Sequence, residues 1–131
     1  MAGSKGFTLM EIVAVSIIVG LLTAIVLPNF FASIEQTNVR AAQNNLLAIS
    51  GAQSKYYEDY GKYYFVASGP NSNVSINQNL YMAIAAKDPF VYSCSNAPLP
   101  YQCKATDNYV TLTTSGASVN CTPVGSQYCP F

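Results

Sequence analysis

Glu11 is the one charged residue in the stretch 7–27, FTLMEIVAVSIIVGLLTAIVL. A carboxylate at the centre of a bilayer costs on the order of 3 kcal/mol on insertion scales. Glu11 lies about one helical turn in from Phe7, so it can reach the interface and costs less there. A helix N-terminus also favours an anion modestly. The plain reading is a tolerated interfacial acid. The chemical reading is an acid awaiting a cationic partner.

The other residues with chemistry are sulfurs and scattered acids. Cys94, Cys103, Cys121 and Cys129 all fall in the last third of the chain, and none of the gaps is C-x-x-C. That spacing does not suit zinc or a redox dithiol, and an even count behind an apolar segment predicts two disulfides in an oxidising compartment. Histidine is absent, which removes the commonest general base and metal ligand. The candidate catalytic acids are Glu58, Asp59, Asp88 and Asp107. Glu58 and Asp59 are adjacent, so on a helix they point in different directions and make a poor acid–base pair. With no Gly-rich phosphate loop and no nucleophile motif, neither an enzyme, a metal site nor a cofactor is expected. Six basic residues balance six acidic ones, so no net field recruits nucleic acid or an anionic membrane.

The elements that must position these residues begin with the apolar stretch. Charged residues are 9% of the chain, against about 25% in an average soluble protein. The deficit sits near the N-terminus and marks a membrane segment. The run 7–27 reaches about 31 Å as a helix, the thickness of a bilayer core. It is too long for a signal peptide, and Pro28-Asn29-Phe30-Phe31 follows in place of a small-residue cleavage site. Lys5 on the short side predicts a cytoplasmic N-terminus. Ser16, Gly20 and Ala24 form a row at i, i+4, i+8 that lets helices approach closely. Pro28 removes a backbone hydrogen bond and is expected to bend or loosen the helix.

Beyond Pro28 the helical pattern continues in a more polar register. Val39, Ala42, Leu46, Ile49, Gln53, Tyr56 and Tyr60 recur at spacings of three and four, one face of a helix. Gly61 is the expected C-cap. The helix should therefore run from about residue 8 to about residue 60, with 28–60 its amphipathic half. Tyr56, Tyr57, Tyr60, Tyr63 and Tyr64 cluster at its end, which packing and an amphipathic surface explain. The Gly-, Ser- and Asn-rich stretch 67–79 reads as a loop, followed by a short helix at 79–86. Strands are expected at 90–93, 101–105, 109–114 and 117–121, with turns at Asp107-Asn108 and Ser115-Gly116. Packed on the helix stripe, they give a small α+β head. The expected organisation is a leader over 1–6, a membrane helix over 7–27 and a head over 28–131. Four cysteines allow three connectivities. Local pairing, Cys94–Cys103 and Cys121–Cys129, is favoured because Pro98 and Pro100 shape a turn within the first loop and the second would pin the tail.

Lys5-Gly6-Phe7-Thr8-Leu9-Met10-Glu11, with the apolar run and the proline at its end, resembles the prepilin motif of type IV pilins and type II secretion pseudopilins. The strong resemblance covers residues 1 to about 40. It implies a membrane peptidase that cuts between Gly6 and Phe7 and methylates the new amine of Phe7. It implies that Glu11 pairs with the amine of a neighbouring subunit during assembly, and that the stretch from Gly20 to Pro28 loses helical structure in the filament. Implied partners are further copies of the chain, the peptidase, inner-membrane assembly machinery and lipid before assembly. A C-terminal disulfide loop is also common in pilins. The pseudopilin alternative typically brings a calcium loop near the C-terminus, yet residues 115–131 contain no acid, and calcium usually takes carboxylates. A membrane-anchored binding module that never polymerises is a third reading, and it makes Glu11 dispensable.

Overall fold

The computed structural model describes residues 6–85, 87–96, 101–115, 118–123 and 128–129, with backbone only at 28 and 115. Lys5 and the rest of 1–5, Ala86, Pro98, Pro100, Gly116 and Ala117, on which some expectations rest, lie outside them. The elements are α1 (Leu9–Tyr60), α2 (Ser72–Asn79), β1 (Val91–Ser95), β2 (Gln102–Thr106), β3 (Thr111–Ser115) and β4 (Ser118–Thr122). The chain divides into two compact units, Met1–Ile34 and Glu35–Phe131.

In the first unit the apolar side chains of α1 stand exposed, Ile17 at 58% and Leu22 at 60% among them. This is the one described helix long and apolar enough to cross a membrane. Its polar side chains turn back on their own helix. Ser16 Oγ donates to the Ile12 carbonyl and Thr23 Oγ1 to that of Val19, both at 2.7 Å. Such bonds leave no hydroxyl unsatisfied in hydrocarbon. The helix continues through Pro28 without a break. The loosening expected there is therefore not a gap in secondary structure, although the ring still denies the Ala24 carbonyl its usual donor.

The second unit has a core of its own. Val39, Ala42, Leu46, Ile49 and Gln53 are buried along α1, whereas Tyr56 is half-buried and Tyr60 exposed. Gly61 ends the helix with φ +69°, a conformation that costs glycine nothing, and its N–H bonds the Tyr57 carbonyl at 2.8 Å. The strands form one antiparallel sheet in the order β1-β2-β3-β4, a meander that short turns suffice to connect. Alternation turns Tyr92, Cys94, Cys103, Ala105, Leu112, Thr114 and Cys121 inward. Cys94 faces Cys103 across the β1–β2 pair, and the two are bonded with Cα atoms 4.1 Å apart. Cys121 in β4 is bonded to Cys129.

The stretch 67–79 is not all loop. Its second half is α2, and the helix expected at 79–86 is absent from the described part, where Tyr81 instead takes φ +53°. Local signals for α2 are weak: Asn71 at its N-cap makes no side-chain cap bond, and Ser and Asn are poor helix formers. Tertiary bonds place it. Asn73 donates to the Phe90 carbonyl and accepts from the Tyr92 N–H, both at 2.9 Å. Asn77 does the same to both backbone groups of Ile84 at 2.9 Å. The observed strands start and end within one or two residues of the expected ones.

Candidate assembly site at the start of the helix

Thr8 caps α1. Its carbonyl accepts from the N–H groups of Glu11 and Ile12 at 3.1 and 3.3 Å. Glu11 Oε2 accepts from the Thr8 N–H at 2.8 Å and from the Thr8 hydroxyl at 2.9 Å. Thr8 Oγ1 in turn accepts from the Glu11 N–H at 3.2 Å. This is a reciprocal capping box, in which the side chain of each residue accepts from the backbone N–H of the other. The T-x-x-E spacing that signals it is present in the sequence, so Glu11 is a capping residue as well as the lone acid of the apolar run. Both carboxylate–Thr8 bonds fall on Oε2, and Oε1 has no partner among the described residues.

Phe7 precedes the helix and is 83% exposed. A side chain added at Gly6 would meet open space, so the backbone around the 6–7 bond is accessible. Gly20 is likewise open, midway along the apolar face, and Pro28 lies about two turns beyond it. Gly6, Phe7 and Glu11 are thus brought together at one helix end, with Gly20 and Pro28 spaced along the same helix. The disulfides belong to the second unit.

The acids considered for catalysis are dispersed within the second unit. Glu58 and Asp59 both approach Lys55, at 3.9 and 3.3 Å, on an exposed surface. Asp88 Oδ2 accepts from Asn45 at 3.0 Å and from the Tyr92 hydroxyl at 3.2 Å. Burial, and then the Asp88 charge, push the Tyr92 phenol well above its ordinary value, so it stays a donor. Asp107 Oδ1 accepts from the N–H groups of Tyr109 and Val110, at 2.8 and 2.7 Å, and shapes the β2–β3 turn. Among the described residues no cluster of three Cys, Asp or Glu could hold a metal ion.

Comparison with known proteins adds relatives. No protein-family model matches the chain, and no solved structure matches it. Type II secretion system core protein G of Klebsiella pneumoniae is 33% identical over 75 residues, 57% of this chain and 54% of that protein. Type IV major pilin protein PilA of Myxococcus xanthus is 27% identical over 132 residues, 97% of this chain and 60% of that protein. Core protein G of Aeromonas hydrophila is 28% identical over 88 residues, 67% of this chain and 57% of that protein. The chain spans 54–60% of the length of these relatives. In its capped apolar helix, its small antiparallel sheet and its sequence, the chain is similar to type IV pilins and type II secretion pseudopilins.

Proposed function

We propose that the chain is a structural subunit of a type IV pilus filament. Residues 7–27 anchor it in the inner membrane with the N-terminus cytoplasmic. A prepilin peptidase cuts between Gly6 and Phe7 and methylates the Phe7 amine, and membrane machinery moves the subunit into an extracellular filament. The observation that carries this reading is the Glu11 carboxylate, held at the start of an exposed apolar helix with one oxygen engaged by Thr8 and the other without a partner among the described residues. Cleavage would create an ammonium at Phe7, four residues before Glu11. An ammonium of the same chain or of a neighbour can offset the charge. Only the neighbour's drives association and sets register. The open row through Gly20 suits close helix packing. Pro28 supplies the weakened turn where the helix would loosen on assembly.

A pilus is favoured over a secretion pseudopilus by the reach of the similarity. The pilin relative aligns over 97% of the chain, and the core protein G relatives named above over 57 and 67%. The lack of any acid in 115–131 points the same way.

Filament yield in the sheared surface fraction, measured beside processed protein in membranes, tests the proposal. Glu11→Ala removes a costly carboxylate and should insert at least as well as the parent. It should be cut after Gly6, accumulate in the membrane and give no filaments. Thr8→Ala keeps the carboxylate and loses the cap, worth about 1 kcal/mol, so it should lower filament yield without abolishing it. The mature chain should begin with N-methylated Phe7 by intact mass. Normal filaments from Glu11→Ala would overturn the mechanism.

A further inference from the structure

Tyr81 is 87% exposed and has φ +53°, a left-handed conformation that bulky residues rarely adopt. Its flanks hold it there. Leu80 and Ile84 are buried on either side. The Leu80 N–H bonds the Ile76 carbonyl at 2.9 Å and the Met82 N–H that of Asn77 at 3.1 Å. The Asn77 carboxamide closes on Ile84 with two bonds. The turn thus accepts backbone strain and delivers an aromatic ring to solvent, where the chain itself gains little from it. Strain held in place by its surroundings and yielding no packing points to a binding role.

Tyr81 lines a groove of about 300 Å³ between the end of α1 and the turn after α2. Leu80, Met82 and Ala52 give it apolar lining, and Tyr60, 58% exposed, is a second aromatic wall. Tyr56 backs Tyr60 with ring centroids 4.5 Å apart. Among the described residues neither the Tyr60 nor the Tyr81 hydroxyl has a hydrogen-bond partner. Asn79 spends its amide nitrogen on the Tyr64 hydroxyl and the Ser75 carbonyl, which leaves its oxygen available. The charges in the lining, Lys55 and Asp59, are paired with each other at 3.3 Å.

These features specify the occupant. The lining carries one cation and one anion, so it offers no excess positive charge to hold an anion. Nine residues line the groove, whereas a protein partner takes about 20–30 a side; the volume is at the low end for small-molecule sites. The lining asks for one apolar face and an edge of hydroxyls. A pyranose has both: its C–H face carries partial positive charge that suits the negative face of a tyrosine ring, and its hydroxyls match the free phenols and the Asn79 oxygen. We infer that the Tyr60–Tyr81 groove binds a neutral sugar residue, stacked on the exposed tyrosines. The inference concerns the head alone and does not depend on filament assembly.

The test is saturation-transfer NMR on the full chain in a sugar-free detergent, with methyl glucoside, methyl galactoside and N-acetylglucosamine as probes and sialic acid as the anionic control. At least one neutral probe should receive saturation on its ring C–H protons, with a roughly millimolar affinity expected of a single sugar ring, and sialic acid should not. Tyr81→Gly removes the ring and relieves the left-handed strain, so the head should melt no lower while binding falls about tenfold or more, the equivalent of about 1.4 kcal/mol. Tyr81→Phe keeps the stacking face and should bind more than Tyr81→Gly. No transfer to any neutral probe, or unchanged binding in Tyr81→Gly, would overturn the inference. So would disulfide trapping of Tyr81→Cys against a second copy in filaments, because a neighbouring subunit would then fill the groove.

Discussion

Glu35 lies beside the Asp107 carboxyl, and Asn38 donates to its Oε2 at 3.5 Å. Burial first, then the neighbouring carboxyl, holds the Glu35 carboxyl above the ordinary range. A protonated Glu35 can donate to Asp107, whose Oδ1 is committed to the β2–β3 turn. An ionised Glu35 cannot donate and adds a like charge. The folded state therefore binds the proton more tightly than the unfolded one. The resulting stability is fully present below the unfolded value and is lost as pH rises through the folded value. Melting of the full chain in micelles between about pH 4 and about pH 7 should show this loss. Glu35→Gln donates at every pH, so it should flatten the profile and melt higher at neutral pH. An unchanged slope would remove Glu35 as its source.

At the scale of elements, three carboxamides each take the place of a missing backbone partner. Gln53, buried in α1, donates to the Tyr64 carbonyl at 2.6 Å and accepts from the Tyr64 N–H at 2.9 Å. Asn73 serves the edge of β1 and Asn77 serves Ile84. Between them they fasten the segment from Gly61 to Phe90, whose one helix among the described residues is the short α2. Beside the Asn73 contacts, Val66 exchanges two backbone bonds with Cys94 at 2.9 and 3.0 Å, so part of the outer edge of β1 is already occupied, which blunts edge pairing with other chains. An acid cannot replace these amides, because it faces a carbonyl with no proton to donate. Asn77→Asp and Gln53→Glu should each destabilise the head by about 1–3 kcal/mol at neutral pH. Chemical denaturation would measure the loss, and Asn77→Asp should partly recover at low pH, where the acid carries a proton.

The head as a whole is small, and each disulfide closes a short loop, with sequence separations of 9 and 8. Each is worth about 2–3 kcal/mol by loop closure, which in a domain of this size moves the melting temperature by about 10–20 °C. Paired Cys→Ser substitution of either bridge should give shifts of that order. Membrane insertion should be unaffected, because residues 7–27 contain no cysteine. The Cys94–Cys103 pair joins neighbouring strands that are also held by ladder bonds. Loss of Cys121–Cys129 should therefore free the C-terminal tail to proteolysis sooner, as limited digestion would show.

Periodicity by itself determined the long helix, its apolar and amphipathic halves, the buried stripe from Val39 to Gln53 and the Gly61 end, because these follow from side-chain spacing along one element. Turn residues located the strands closely, since alternation and Asx turns are local. The T-x-x-E box of Thr8 and Glu11 is equally legible, because its spacing is local. The segment 67–84 was not legible: its helix has no cap and little propensity, and bonds to residues up to 19 positions away hold it. The same remoteness hid the Glu35–Asp107 pair and the left-handed Tyr81 beside Tyr60. Each depends on which distant backbone and side-chain groups meet, and only the packed head decides that.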